Sequence, residues 1–353
     1  MRTQVLDLRR AAASAGWSLC IGAGTSWPAF PSWKELVQHL VTRDPLAKTG
    51  LADTLLDTYS ADSLIEAARA RLGLDEVEFT KVLSDELYAG LKTEAADRWP
   101  DIVQCLEANS IGAVSKSKWL AFRSFFNAHP HWRTLTGVTM APVVAETLST
   151  EFAPHSILSF NAEPLFLALI NSEIASRHAW TSARGFDASP KKQLDKLIRA
   201  TSSRTRGRIP YVFCHGLVPV SGGTSHHANT ASADKLVFSE SQHLALANSI
   251  VSWQATTFVE ACMLRQIVFV GVSLSDPNMR HWLSRAAQNK KRELHEVFGH
   301  DGDFVSHYWI NKRPDDDAHA AWLEESVKHL GVRVVWVDQW PACAQVLRRA
   351  LRL

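Results

Sequence analysis

The sequence predicts a doubly wound α/β fold. Three observations carry that prediction: short, nearly continuous apolar runs that stop at turn residues, helical stretches that separate those runs, and glycine-bearing turns where several runs end. The chain has 353 residues, 46% of them hydrophobic and 21% charged, which is enough apolar material to bury a sizeable core.

The expected strands are Ser18–Ile21, Ser156–Phe160, Tyr211–Cys214, Lys235–Phe238, Ile267–Val270 and Val332–Val337. Most are apolar throughout, as strands covered on both faces of a parallel sheet should be. Arg333 interrupts the last one and places it at a sheet edge. The expected helices around them are Gln4–Ala15, Val138–Glu151, Ser241–Arg265, Pro277–Lys291, Ala318–Leu330 and Ala342–Leu351. Ligands in such folds bind beyond the carboxyl ends of the strands.

The stretch between Ile21 and Ser156 has little strand character. Trp33 begins an amphipathic helix, with Ser32 as N-cap and Glu35 as its capping-box partner. Further helical patterns cover Ser63–Leu72, Asp75–Leu87 and Asp101–Ala108. The expected division is therefore a sheet domain made of residues 1–31 and 152–353, with residues 32–151 as a helical insertion.

Lys plus Arg (38) nearly balance Asp plus Glu (36), so no global field marks nucleic acid or membrane as a partner. The basic segment Lys191–Arg208 has no interleaved aromatic residue and reads as a solvated helix running into a Ser/Thr/Arg loop; direct nucleic-acid binding is not expected. Five widely spaced cysteines without a Cys-x-x-Cys pair fit a reducing compartment and no zinc ribbon. No apolar run is long enough for a signal peptide or a membrane span, so a soluble cytoplasmic protein is expected. The 13 tryptophans are expected mainly in the core, with Trp119 or Trp132 as candidate protein contacts.

Four segments could carry chemistry. Gly22-Ala23-Gly24-Thr25-Ser26 follows the first strand; it is either a tight structural turn or a loop whose bare amides approach a pyrophosphate. Asn161 and Glu163 follow the second strand, where Asn161 either closes an Asx turn or holds a water or ribose hydroxyl. Cys214-His215-Gly216 sets an imidazole at the same rim, as a structural hydrogen-bonder or a general base. His226 and His227 add imidazoles in a spacing that matches no common zinc pattern, so no metal is expected. The fourth segment, Gly271-Val272-Ser273-Leu274-Ser275-Asp276-Pro277, lacks the final glycine of a nucleophile elbow, and its Asp276 is also a natural helix cap.

Taken together and in this order, the segments resemble the sirtuin-like NAD-hydrolase domains of bacterial anti-phage defence systems. The resemblance rests on Gly22-Ala23-Gly24-Thr25-Ser26 followed by Pro31-Ser32-Trp33, on Phe160-Asn161-Ala162-Glu163, on Cys214-His215-Gly216, on Val237-Phe238-Ser239-Glu240, and on Gly271 through Pro277 with Asn278 after it. Glu163 stands where that family usually has Asp, and Ser159-Phe160 where Thr-Thr is common. The four-cysteine zinc module of the protein deacylases has no equivalent here.

The resemblance implies a mostly parallel, doubly wound Rossmann-like sheet and cleavage of the nicotinamide–ribose bond of NAD, without a metal. It implies that Asn161 positions the attacking water or ribose and that His215 is the general base. Gly22, Ala23, Gly24, Thr25 and Ser26 would cradle the pyrophosphate, Gly271 and Ser273 would close the other side, and Glu163 and Asp276 would contact ribose. It further implies a NAD-depleting effector held in check by homo-oligomer assembly or by a second protein, such as a HerA-type ATPase or an Argonaute-like sensor. The competing expectations are an NAD-dependent protein deacylase and a catalytically silent subunit that binds NAD or ADP-ribose.

Overall fold

Side chains along the first strand, β1 (Trp17–Ile21), alternate between two apolar cores: Trp17, Leu19 and Ile21 enter one, and Cys20 the other. The pattern recurs in β4 (Ile209–Phe213), with Tyr211 and Phe213 against Val212, and in β5 (Gln266–Val270), with Val268 and Val270 against Ile267 and Phe269. A strand with an apolar residue at every position needs cover on both faces, and a helix layer on each side supplies it. The computed structural model describes residues 2–177, 197–200, 207–223, 236–248, 252–299 and 304–351.

The remaining strands are β2 (Ile157–Ser159), β3 (Leu197–Arg199), β6 (His307–Lys312) and β7 (Val332–Val337). They form one sheet in the order β3-β4-β2-β1-β5-β6-β7, every neighbouring pair parallel. Successive strands add on one side of β1 and then on the other, so the crevice beyond the carboxyl ends of β2, β1 and β5 is the topological switch point. The expected edge strand is at the edge: β7 closes the sheet, and its exposed Arg333 pairs with Asp7 at 2.7 Å.

One face is covered by α1 (Arg2–Ala15), α8 (Thr136–Thr147), α9 (Leu165–Arg177) and α14 (Ala342–Leu351). The other carries α10 (Glu240–Asn248), α11 (Trp253–Leu264), α12 (Pro277–Phe298) and α13 (Asp317–Lys328). Between β1 and β2 run only helices among the described residues: α2 (Trp33–Thr42), α3 (Leu51–Leu56), α4 (Ala61–Arg71), α5 (Glu76–Ala95), α6 (Trp99–Glu107) and α7 (Lys116–Ala128), then α8. The Ser32 capping box of α2 forms as expected, with Glu35 Oε2 accepting from the Ser32 amide at 2.6 Å and Ser32 Oγ accepting from the Glu35 amide at 3.3 Å. Leu36, Phe79, Leu87 and Trp99 of these helices share one core with Leu19 and Ile157 of the sheet. These helices pack continuously with the sheet.

Several expectations need correction. Residues 236–238 are not a sheet strand; their tie to the sheet rim is the Val237 amide donating to the His215 carbonyl at 2.9 Å. The single helix expected over Ser241–Arg265 is two helices, α10 and α11, the second starting at the Ser252 N-cap. Within the basic segment, Leu197–Arg199 is strand β3; its residues 191–196 and 201–206 lie outside the described residues, as do His226 and His227. Trp119 and Trp132 are buried core residues whose rings are closed in by Phe122, Phe125 and Phe126, so neither is a surface contact. Among the described residues no helix is long and apolar enough to cross a membrane.

Candidate functional site

The turn after β1 is built by backbone packing against the turn after β5. Gly271 has φ +66°, and a Cβ there would lie 2.6 Å from the Thr25 amide nitrogen. A Cβ on Gly22 would lie 2.6 Å from the Gly271 carbonyl oxygen. These contacts require glycine for close approach, whatever binds above them. The amides of Gly22 and Gly24 donate to the carbonyls of Val270 and Gly271, and those of Thr25 and Ser26 donate to Gly22 and Ala23. Four of the five amides expected to cradle a pyrophosphate are thus committed to the protein. Ala23 and Ser26 are the members of the turn that line the adjoining cleft.

Asn161 stands two residues past β2. Its Nδ2 lies within donating distance of Glu163 Oε1 (2.8 Å), Thr25 Oγ1 (3.2 Å) and Ser26 Oγ (3.2 Å). Its own amide donates to Ser159 Oγ at 3.2 Å, a turn closed by the serine; the Asx turn, which needs Asn161 Oδ1 as acceptor, is not formed. The carboxamide is buried, yet its Oδ1 has no hydrogen-bond partner. A buried acceptor left unmet costs about 1–3 kcal/mol, so it is a place where a ligand or water gains.

Glu163 is the bracket that holds this arrangement. Its Oε1 accepts from Ser26 Oγ at 2.5 Å and from Asn161, and its Oε2 accepts from the Leu165 amide at 2.5 Å, at the start of α9. Burial pushes its carboxyl up from the ordinary value, while the donors Ser26, Leu165 and Asn161 pull it back. The side chain ties the β1 turn, the β2 end and α9 together, and both of its oxygens are taken by protein donors.

His215 follows β4 as Asn161 follows β2. Ser159 and Phe213 are register partners, and the Cys214 amide donates to the Ser159 carbonyl at 2.7 Å, so the two side chains leave neighbouring strands at one rim. Asp276 Oδ2 lies 3.4 Å from His215 Nε2, within ion-pair reach but off the line of a hydrogen bond, and Nε2 is buried without one. Burial pushes the imidazole well below its ordinary value, with Asp276 opposing that fall and His243 adding to it. Asp276 also caps α12, accepting from the Met279 amide at 2.7 Å. Both readings of Asp276, cap and site neighbour, therefore hold in geometry.

A cleft of about 430 Å³, its solvent-open mouth included, lies between the sheet rim and helices α2 and α5. Its wall joins Ala23 and Ser26 of the turn to Asn161 and Glu163, with Phe30 and Pro31 of the loop before α2, Trp33 and Leu36 of α2, Leu87 of α5, and Phe160 and Phe238 closing it. His215 is not part of that wall. Phe160 lines the cleft and meets the imidazole edge-on, ring centroids 4.8 Å apart. Ser273 is exposed, with its hydroxyl 2.6 Å from that of Ser275. Leu274 between them is buried at φ +53°, a strained conformation for a branched side chain.

Sequence reasoning missed His243 and Leu87. His243 sits on α10 with its ring 5.1 Å from that of His215, and Asn278 Nδ2 lies 3.3 Å from its Nδ1. Nothing in the local pattern marks it, because its place depends on α10 packing across the rim.

Compared with known proteins, residues 173–330 match the family model of the SIR2-like domain. No curated protein matches the chain. The matched span contains His215, Gly271, Ser273 and Asp276; Asn161, Glu163 and the β1 turn precede it. A domain of this kind implies the use of NAD, and the all-parallel, doubly wound sheet around it is the corresponding Rossmann-like fold. The chain thus contains a sirtuin-like domain, set in a seven-stranded parallel sheet whose switch point holds the cleft.

Proposed function

We propose that this protein hydrolyses NAD at the nicotinamide–ribose bond. The observation that carries the reading is the buried, unpartnered Oδ1 of Asn161 in the wall of the cleft. An acceptor there can hold a water, or the ribose edge, beside the anomeric carbon. In the reaction the C1′–N bond breaks and its electron pair leaves on the nicotinamide nitrogen. The water oxygen bonds to C1′, and its proton passes to His215. Burial keeps that imidazole neutral at neutral pH, the form a base requires. The transition state resembles an oxocarbenium ion, so positioning contributes more than a strong nucleophile would.

Phe160 stands between His215 and the cleft, which supports reading this arrangement as a resting state. On the resemblance alone we extend the proposal to a cytoplasmic, NAD-depleting effector in anti-phage defence. Its activation would come from assembly with further copies or from a second protein, such as a HerA-type ATPase or an Argonaute-like sensor.

The test is nicotinamide release from NAD by the purified protein over a range of protein concentrations, followed chromatographically. Release that falls at least 100-fold in both Asn161→Ala and His215→Ala, with each variant still folded, is the expected result. Variants as active as the wild type would overturn the assignment. Deacylation of an acyl-lysine peptide, or binding of NAD with no nicotinamide released, would replace hydrolysis with the deacylase or the silent subunit.

A further inference from the structure

Three potential ligand atoms converge beside the cleft from separate parts of the chain. His215 comes from the loop after β4, His243 from α10, and Asp276 from the N-cap of α12. One ligand atom of each lies within 4.8 Å of the others. His215 Nε2 and Asp276 Oδ2 are 3.4 Å apart yet not aligned for a hydrogen bond, and the Nε2 is buried with no bond at all. Two groups that face each other at that distance without bonding are arranged as ligands around a shared point. Zinc–ligand distances of about 2.0–2.1 Å place neighbouring corners of a tetrahedron about 3.3 Å apart.

One of the outer contacts is already that of a ligand set. Asp276 spends its other oxygen on the Met279 amide, which fixes the carboxylate's orientation. Asn278 Nδ2 lies 3.3 Å from both the ring Nδ1 and the carbonyl oxygen of His243. A carboxylate held through its other oxygen is commonly oriented for metal binding; at His243 the Asn278 amide must flip, so that its oxygen accepts from Nδ1–H, before Nε2 has a lone pair to give. The two imidazole planes meet at 88°, so the rings do not stack and block each other.

We propose that His215, His243 and Asp276 form a binding site for a divalent transition-metal ion of the zinc class, with a fourth position open, and that the bound ion silences the enzyme. Silencing follows because the metal takes the Nε2 lone pair that His215 needs to accept a proton. That consequence rests on the proposed NAD cleavage, whereas the binding itself does not.

The test begins with full-length protein stripped by EDTA and titrated calorimetrically with zinc chloride, and separately with cobalt(II) for its visible spectrum. One ion per chain is expected, with affinity at least tenfold weaker in both His243→Gln and Asp276→Asn, and an intense tetrahedral cobalt band that both variants lose. Asn retains the helix cap, so Asp276→Asn keeps its fold even if His243→Gln does not. Absence of a stoichiometric ion, or a folded variant that binds as the wild type does, overturns the site. In the activity arm, equimolar zinc should lower nicotinamide release at least tenfold and EDTA should restore it. Unchanged release from zinc-saturated protein overturns the silencing. No release from the metal-free protein counts against NAD hydrolysis and leaves the metal site to be decided by the titration.

Discussion

Phe160 lines the cleft and its ring also packs edge-on against that of His215, so on the proposed reading this side chain separates a substrate in the cleft from its base. Shrinking that ring should shorten the path. Phe160→Ala is expected to raise nicotinamide release without any partner by about tenfold, about 1.4 kcal/mol off the barrier. A folded Phe160→Ala protein no faster than the wild type would remove the resting-state reading, and the double variant with His215→Ala must be inactive. At this scale the sequence was informative where one side chain follows directly from a strand end, as with Asn161 and His215. It was silent on His243, whose position is set by α10 packing, and on the orphaned Oδ1 of Asn161, which depends on the three side chains, Thr25, Ser26 and Glu163, that draw the carboxamide nitrogen to themselves.

At the scale of elements, the turns after β1 and β5 behave as one unit. The glycines that sequence reasoning offered to a pyrophosphate are needed first for these turns to touch. Gly271→Ala would strain a left-handed backbone and press a methyl group against the Thr25 amide. A loss of about 1–3 kcal/mol is expected, read as a lower urea midpoint with an unchanged m-value. A variant as stable as the wild type would show that the turns have room to part. The strands were legible because apolar runs such as Ile267–Val270 are short and sharply ended. β6 escaped notice because His307, Asn311 and Lys312 give it polar ends, and α9 because residues 165–175 are buried on every side and show no amphipathic period.

Over the whole molecule, pH should act through buried imidazoles. His307 is buried and its Nδ1 accepts from the Ile267 amide at 3.2 Å, so protonation there costs a sheet contact. Burial lowers its pKa to about 4, with a Ser306 backbone contact opposing the fall. The unfolded chain therefore takes up this proton first, from the ordinary value of 6.5 downward. Its contribution is fully present above that value and is lost as the pH falls toward 4, and His215 is shifted in the same direction. Each imidazole can contribute a slope of up to about 1.4 kcal/mol per pH unit in that window. Urea melts between pH 7 and 4.5 should show stability falling, with a shallower slope in His307→Gln. Equal slopes would mean that His307 does not carry the effect.

The central position of β1 also governs how the chain comes together in time. Its two partners, β2 and β5, begin at residues 157 and 266, on either side of a strand that ends at residue 21. At translation rates of about 5–20 residues per second, the first partner emerges roughly 7–27 s after β1 does. Through that interval Trp17, Leu19 and Ile21 have no strand to pair with, so nucleation must wait for contacts of high sequence separation. Slow refolding is the expected kinetic cost of building the sheet outward from its first strand.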